Sequence, residues 1–264
     1  MKIRLAKTLV LPTVLILMPL FSLSALPEFT LSGGGGIHLG GLFSNYTINA
    51  DETNKNGEKI WMNLTQEMQQ FNIGAYLFFD ATYAVFSLDI QEGFNSYKEG
   101  GIISQNSIRA EPDPIKGSGK ETTLGFTLMA KYPFSIRDRL LIYPMAGISY
   151  RIALTEKRTP NGGGEHNRTD GKTEFNQNGD YSLSMWNSWF INIGTGLDFH
   201  FNSSFFLRTE FFYSFRLMTS YEKAAVDWLE DTYGISRPKL LANPGMRGLT
   251  HGPELRLALG YRFK

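Results

Sequence analysis

The chain has 264 residues, with 26 Lys and Arg against 25 Asp and Glu and a formal charge of +1. This balance gives no argument for a nucleic-acid partner, and the absence of cysteine excludes disulfides, thiol catalysis and cysteine-ligated zinc. A mean hydropathy of −0.20 excludes a bundle of membrane helices. The 27 glycines and an aromatic content of 14% favour an all-β barrel.

Residues 1–25 are predicted to be a secretory signal peptide, because basic residues precede an apolar run at 9–23 and small residues follow it. The run is short and interrupted by prolines, so it is not expected to remain as a membrane anchor. Residues 26–264 are predicted to form one domain. An exported chain without a spanning helix is periplasmic, secreted or an outer-membrane barrel.

Eight segments alternate between apolar and polar side chains with a period of two, which predicts β-strands. These segments are 29–48, 66–79, 82–92, 120–132, 139–154, 186–200, 205–218 and 252–263. Three connections are short, namely 80–81, 133–138 and 201–204. The other four are long, namely 49–65, 93–119, 155–185 and 219–250. Short and long connections therefore alternate along the chain.

Each predicted strand has one face of bulky apolar side chains and one face of glycines and charged side chains. A soluble barrel would turn the bulky face inward, whereas a membrane barrel turns it toward lipid. The alternation of short and long connections favours the membrane arrangement, because outer-membrane barrels have short periplasmic turns and long outer loops. The sequence therefore predicts a single eight-stranded antiparallel transmembrane β-barrel with both termini on the periplasmic side.

The combination of a signal peptide, eight amphipathic strands, four long loops and a last strand ending in Tyr261, Arg262 and Phe263 resembles the small outer-membrane barrels of the OmpA, OmpX and OmpW kind. The resemblance implies a location in the bacterial outer membrane, lipid around the barrel and insertion by the barrel assembly machinery. The family usually ends on an aromatic residue, whereas Lys264 follows Phe263 in this chain. The assembly signal is therefore altered.

Two irregular features are expected to have structural roles. The run from Gly33 to Gly36 is predicted to relieve crowding in the first strand or to permit a sharp bend. Pro144 is predicted to lie near a bulge, because proline cannot donate a hydrogen bond within a sheet.

Charged side chains of both signs lie on the polar faces, inside the predicted barrel. Eight strands enclose an interior that side chains about fill, and a charge there is stable only when it is paired. We therefore predict a lumen closed by salt bridges, in which Glu210 with Arg256 or Arg208 with Glu254 are feasible pairs. The alternative is a narrow conductive path or a gate. The predicted lumen residues are Asp89, Glu121, Lys131, Arg151, Asp198, His200, Arg208, Glu210, Arg216, Glu254, Arg256 and Arg262.

Aromatic residues toward the predicted strand ends are expected to form the girdles that flank the lipid layer. These residues are Trp61, Tyr132, Tyr143, Tyr150, Trp186, Trp189 and Tyr221. In the last long connection, Thr219 and Glu222 have the spacing of a helix cap, and apolar residues recur at helical spacing as far as Gly234. This pattern predicts an external helix that packs on neighbouring loops, covers the barrel mouth or lies on lipid headgroups.

No catalytic, metal or cofactor site is predicted. Some eight-stranded barrels are lipid-modifying enzymes that use a His-x-Ser pair, but no histidine of this chain has a serine two positions later, and no Gly-x-Ser-x-Gly element is present. His166 lies beside Glu165 and Asp170, where a solvated loop histidine is more common than a metal ligand. The chain is therefore not expected to be an enzyme.

The predicted plugged lumen leaves the outer loops as the working surface. We therefore expect a structural or surface-interaction role, with an extracellular ligand at the loops as a partner. A small-solute or hydrophobic-ligand channel, which the OmpW-like resemblance implies, is the alternative. An outer-membrane lipid-modifying enzyme is the third hypothesis.

Overall fold

The structure is a computed structural model that describes residues 29–53, 56–105, 108–110, 115–160, 166–168, 172–174, 180–182, 187–219 and 247–263. No helix in this part of the chain is long and apolar enough to cross a membrane. The described strands are β1 (Leu31–Thr53), β2 (Lys59–Ala81), β3 (Ala84–Gln105), β4 (Ile108–Ala110), β5 (Ile115–Lys131), β6 (Phe134–Arg137), β7 (Leu140–Pro160), β8 (His166–Arg168), β9 (Lys172–Glu174), β10 (Asp180–Ser182), β11 (Ser188–His200), β12 (Phe205–Thr219) and β13 (Arg247–Phe263). The predicted signal peptide and residues 220–234 of the predicted external helix lie outside the described residues.

Eight strands form a closed antiparallel ring in the order β1, β2, β3, β5, β7, β11, β12 and β13. The ring closes where β13 pairs with β1, from Phe263 opposite Leu31 to Arg247 opposite Thr47. Closure pairs the backbone of every strand on both sides, which a sheet needs in order to cross lipid. The predicted eight-stranded antiparallel barrel is confirmed.

Several strands extend well beyond the predicted bounds. β1 and β2 pair from Leu31 opposite Ala81 as far as Thr53 opposite Lys59, so most of the predicted loop 49–65 is part of a long hairpin. β3, β5 and β7 also extend into segments predicted to be loops. Outward side chains in these extensions no longer contact lipid, so they need not be apolar. The alternation that marks a strand in the sequence therefore fades while the backbone pairing continues.

The turn between β2 and β3 consists of Thr82 and Tyr83, so the predicted turn at 80–81 is wrong. Asp80 and Ala81 are paired residues of β2. The backbone N–H of Thr30 donates to Thr82 Oγ1 at 2.7 Å and ties this turn to the start of β1. Asp80 faces inward and is only 3% exposed, so it contributes a carboxylate to the lumen.

Pro144 lies within β7 at the point where this strand changes neighbours. Ile142 pairs with β6, whereas Met145 pairs with β5. The missing N–H of proline therefore falls between two pairing partners. A register shift lies nearby on β6, between Ser135 and Arg137.

Exposure alternates along each barrel strand, and the outward face is the apolar one. On β11, Ile193 is 57% exposed, whereas Asn192 is fully buried and Asp198 is 4% exposed. This is the inverse of a soluble barrel, and it agrees with bulky side chains that contact lipid. One exposed apolar side chain from each strand of the ring, in chain order, is Ile37, Leu77, Leu88, Leu128, Ile148, Ile193, Phe211 and Leu259.

Aromatic rings also occupy the lumen, which was predicted to contain mainly glycines and charges. Tyr143 is fully buried there, so its prediction as a girdle residue is wrong. Glycines make room for these rings. A Cβ at Gly34 would come 2.8 Å from the Phe78 ring, in agreement with the predicted crowding in β1. The lumen rings that are at most 5% exposed are Tyr76, Phe78, Tyr143, Phe190, Phe206 and Phe212.

We expect Gly196→Ala to lower the free energy of unfolding by about 1–3 kcal/mol, the usual cost of overpacking a filled interior. A Cβ at Gly196 would overlap the Tyr143 ring. Gly41→Ala is the matched control, because a Cβ at Gly41 would come no closer than 3.7 Å to its nearest neighbour, Gln70 O. Urea unfolding of both variants in detergent micelles, followed by tryptophan fluorescence, measures the difference. Equal stability of the two variants would contradict this packing.

Candidate functional site

The lumen contains three side-chain clusters stacked along the barrel axis. The Arg208 cluster lies nearest the short turns. Arg208 is fully buried, and its Nη2 donates to Asp198 Oδ2 at 2.6 Å and also to Asp80. Its Nε donates to Asp198 Oδ1 at 2.8 Å. The guanidinium also lies 4.5 Å from the Phe78 ring centroid, so this cation is held by charge and by an aromatic face.

Two further side chains complete the Arg208 cluster. Lys131 Nζ donates to Asp80 Oδ2 at 2.6 Å, and the Tyr143 hydroxyl donates to Asp198 Oδ1 at 3.1 Å. Each carboxylate therefore has at least two donors. Sequence reasoning missed Asp80, because it follows Phe79 in a segment read as a turn. Asp80 lies two residues after Phe78, which faces inward. Continuation of the period of two from Phe78 would have placed Asp80 in the lumen.

The Arg256 cluster lies at the middle of the barrel. Arg256 donates to Ser87 Oγ at 2.7 Å and to Thr127 Oγ1 at 3.4 Å, and it contacts Asp89 Oδ2 at 3.3 Å. Arg256 is 2% exposed and Asp89 is likewise 2% exposed. The Phe212 ring centroid lies 4.8 Å from the guanidinium, so the side chain has little room to move.

The Glu254 cluster lies on the side of the long hairpins. Arg151 Nη2 donates to Glu254 Oε1, and Ser214 Oγ donates to the same oxygen at 2.6 Å. The other oxygen, Oε2, lies 2.9 Å from His38 Nε2. Asn192 lies beside this group, because Ser214 Oγ is also 2.7 Å from Asn192 Oδ1. Glu254 is 1% exposed, so its charge depends on these neighbours.

The ion pairs differ from the predicted pairs. Arg208 contacts Asp198 and Asp80 instead of Glu254, and Arg256 contacts Asp89 instead of Glu210. Glu210 does lie opposite Arg256 in the backbone register, but its Oε1 is 3.8 Å from Arg208 Nη1. Arg208 pairs with its cross-strand neighbour Asp198, but it also reaches Asp80, and Arg256 reaches Asp89. The neighbouring strand alone therefore does not determine the partners.

The remaining predicted lumen residues line cavities at the two ends of the bore. A cavity of about 360 Å³ opens toward the short turns and includes Lys131, Arg262 and His200 in its wall. Arg262 Nη2 lies 3.4 Å from His200 Nε2. A second cavity of about 40 Å³ lies toward the long hairpins and includes Glu121 and Arg216. The three clusters separate these two cavities.

No group of three or more His, Asp or Glu residues suited to a metal occurs in the described part of the chain. His166 belongs to β8, while Glu165 and Asp170 lie outside the described residues. In the described part of the chain, His38 lies in an ion pair with the buried Glu254 carboxylate. The same carboxylate also pairs with Arg151, so it is not available as a metal ligand. The lumen thus presents buried carboxylates that lie in ion pairs with arginine, lysine or histidine.

The model of the outer membrane protein beta-barrel domain family matches residues 13–263. The chain belongs to this family. Membership places the protein in the outer membrane, with the apolar outward face against lipid. None of the curated proteins matches the chain.

Three solved structures are similar at low sequence identity. OprG from Pseudomonas aeruginosa is 11% identical, with 90% of this chain and 98% of that chain covered and a TM-score of 0.38. Neisserial surface protein A is 12% identical, with 87% and 99% covered and a TM-score of 0.33. The outer membrane protease OmpT from Escherichia coli is 8% identical, with 92% and 99% covered and a TM-score of 0.43.

Aromatic residues lie near both edges of the lipid-facing surface of this outer-membrane barrel. At the periplasmic edge, the Tyr132 ring centroid is 4.9 Å from that of Phe134 and 6.0 Å from that of Tyr83. At the outer edge, Tyr150 and Trp189 pack at 4.6 Å. Both contacts occupy the heights at which girdles lie.

Trp61 is placed differently from the predicted girdle. It lies opposite Asp51 near the tip of the β1–β2 hairpin. Phe71, which is 53% exposed on the lipid-facing surface, is ten residues further along β2, or about 33 Å of strand. Trp61 is therefore a residue of the external hairpin. Trp186 and Tyr221 lie outside the described residues.

Proposed function

We propose that this outer-membrane barrel does not conduct solutes and acts as a structural or surface-interaction protein through its external hairpins. One observation carries the proposal. Arg208 is fully buried and reaches across the bore from β12 to Asp80 on β2, and it also bonds to Asp198 on β11. The Arg256 and Glu254 clusters add two further barriers above it. A solute would have to break buried ion pairs, which costs several kcal/mol for each pair.

The external hairpin of β1 and β2 supplies the proposed working surface. Ile60 and Met62 on its inward face are fully buried, so the extension is packed against other parts of the protein. Trp61 on its outward face is 41% exposed. Exposed tryptophan is enriched in the centres of protein interfaces. The hairpin is therefore a rigid support for contact with an extracellular ligand.

We also propose that the chain is not an enzyme and that the barrel assembly machinery inserts it, as the family resemblance implies. The buried arginines of the lumen pair with buried carboxylates, which favours packing over chemistry on a substrate. Overexpression of an outer-membrane lipid enzyme would alter the lipids around it. Unchanged phospholipid and glycolipid profiles are the expected result, and a new lipid species would contradict this part of the proposal.

Conductance in planar lipid bilayers tests the closed lumen. Purified wild-type protein is expected to give no stepwise current. Truncation of one ion pair in each cluster, by Arg208→Ala with Asp198→Ala, Arg256→Ala with Asp89→Ala and Arg151→Ala with Glu254→Ala, keeps the charge balanced. This variant is expected to open a water-filled path and produce discrete currents. Because each step removes one cation together with its anion, this variant leaves fewer unpaired buried charges than removal of Arg208 or Arg256 alone would leave.

The matched control for conductance is Glu121→Ala with Arg216→Ala. Both residues line the small outer cavity and belong to none of the ion pairs that the conductance variant removes. This control should stay silent. Stepwise current from the wild-type protein would overturn the proposal in favour of the small-solute channel.

A further inference from the structure

The cavity of about 360 Å³ near the short turns is closed at its inner end. It opens to the periplasm, because the short turns of an outer-membrane barrel lie on that side. Asp80, Asp198 and Lys131 of the Arg208 cluster form part of its wall, and Arg208 itself is fully buried. A molecule that enters from the periplasm therefore stops at this cluster. The volume is within the range of small-molecule sites, about 300–1,000 Å³. We call this space the periplasmic cavity.

Arg262 is a cation of this wall, and no carboxylate among the described residues pairs with it. The two wall carboxylates, Asp80 and Asp198, both pair with Arg208. The side-chain contact of Arg262 in the same part of the chain runs from its Nη2 to His200 Nε2, at 3.4 Å. A guanidinium group has five N–H donors, so Arg262 keeps donors for a further acceptor.

Ser32 adds a hydroxyl donor beside Arg262. The two residues are directly opposite in the register of β1 and β13, and both line the periplasmic cavity. Ser32 is 7% exposed, and its hydroxyl has no hydrogen-bond partner within the described ranges. A carboxylate can accept from this hydroxyl and, through its two oxygens, from the planar guanidinium. The pair of side chains therefore suits a carboxylate.

The far side of the periplasmic cavity is apolar. Leu141 belongs to β7, which lies four strands from β1 in either direction around the ring of eight. Pro133 and Phe134 lie beside it in the wall, together with Phe206. Removal of apolar surface from water favours binding of an apolar group on this side. A ligand that fills the cavity thus meets N–H and O–H donors at one end and apolar side chains at the other.

We propose that the periplasmic cavity binds a small organic carboxylate. The carboxylate accepts from Arg262 and Ser32, and an apolar group attached to it packs on Pro133, Phe134 and Leu141. An inorganic anion would leave the apolar side without a partner, and a neutral apolar molecule would leave Arg262 without an anion. Because the Arg208 cluster closes the inner end, the ligand is held and not transported. The closed barrel then has a second working surface, on the periplasmic side.

Fluorine NMR of the full-length barrel in nanodiscs of zwitterionic phospholipid tests the proposal. The probe is 4-fluorophenylacetate, which combines a carboxylate with an aromatic ring. Titration with the wild-type protein should shift and broaden the probe signal in a saturable way. Two comparison probes, the neutral amide of 4-fluorophenylacetate and trifluoroacetate, lack the carboxylate and the ring, respectively. Each should bind more weakly, and the amide by roughly tenfold or more, the loss expected for one hydrogen bond to a charged group.

Two substitutions test the donors of the site. Arg262→Gln removes the cation, and Ser32→Ala removes the hydroxyl without changing any charge. Each should weaken binding of 4-fluorophenylacetate by roughly tenfold or more, because each removes at least one hydrogen bond to the carboxylate. Circular dichroism measures whether each variant folds. Ser32→Ala keeps the test decisive if Arg262→Gln disturbs folding.

The matched control is Arg137→Gln, which removes an exposed cation on the same periplasmic side but outside the cavity wall. It should leave the affinity unchanged. The proposal would be overturned by a lack of saturable binding to the wild-type protein, by equal binding of the acid and its amide, or by equal losses in Arg262→Gln and Arg137→Gln. Trifluoroacetate binding as tight as that of 4-fluorophenylacetate would overturn it in favour of a site for any small anion.

Discussion

Replacement of Arg208 by Met is expected to lower the free energy of unfolding by about 3–5 kcal/mol, the range seen when one partner of a buried ion pair is removed. Arg208 is fully buried and donates to both Asp198 and Asp80. Methionine fills a similar volume but removes both hydrogen bonds from Arg208 to Asp198, which keeps the bond from the Tyr143 hydroxyl. Reversible unfolding in detergent micelles, followed by tryptophan fluorescence, measures the loss.

A combined variant separates lost charge pairing from lost packing. Arg208→Met with Asp198→Asn and Glu210→Gln removes the cation together with two nearby carboxylates, so it is expected to recover most of the stability. Arg137→Met, on the exposed strand β6, is the control for loss of an arginine and should leave the free energy of unfolding unchanged. If the combined variant were as unstable as Arg208→Met, packing and not charge would dominate.

The barrel and the orientation of its faces could be predicted from the sequence, because both depend on local pattern. Alternation with a period of two fixes which side chains share a face, and Ile191 and Ile193 are indeed exposed while Asn192 is buried. The ordering of short and long connections then decides that the bulky face meets lipid. Neither step requires knowledge of which residues touch across the barrel.

Partners on strands that are not neighbours could not be predicted, because they depend on the distance across the closed bore, whereas Arg208 and Asp198 are directly opposite in one hairpin. The register places Glu210 opposite Arg256, yet Arg256 contacts Asp89, which belongs to β3 on the far side of β1 and β2. Contact with aromatic rings also determines where each arginine side chain lies. Arg256 lies 4.8 Å from the Phe212 ring centroid, and no spacing in the sequence encodes that contact.

The external extensions of the strands were missed for a different reason. Outside the membrane, outward positions such as Asp51 and Lys59 meet water, so their polarity resembles that of a loop. Backbone pairing alone continues the strand there, and backbone pairing leaves no mark in side-chain polarity. Gly57, with φ of 82°, provides the left-handed position that closes this hairpin.

Replacement of Glu254 by Gln is expected to cost about 3–5 kcal/mol of unfolding free energy, because it leaves the Arg151 guanidinium buried without an anion. Glu254 accepts from Arg151 and from Ser214, and it contacts His38 at 2.9 Å. Glutamine keeps the size of the side chain. Its amide NH₂ group would face donors, so at least one hydrogen bond is lost along with the charge.

The double-mutant cycle of Glu254→Gln and Arg151→Met isolates this ion pair. Since residues in direct contact couple by about 0.5–3 kcal/mol, the double variant should be more stable than the sum of the two single losses predicts. Ser214→Ala is the matched control, because it removes one neutral donor to the Glu254 carboxylate without removing a charge, and it should cost about 1.5–3 kcal/mol. Strict additivity in the cycle would mean that Arg151 is stabilised mainly by the Phe190 ring, 4.5 Å from its guanidinium, and not by Glu254.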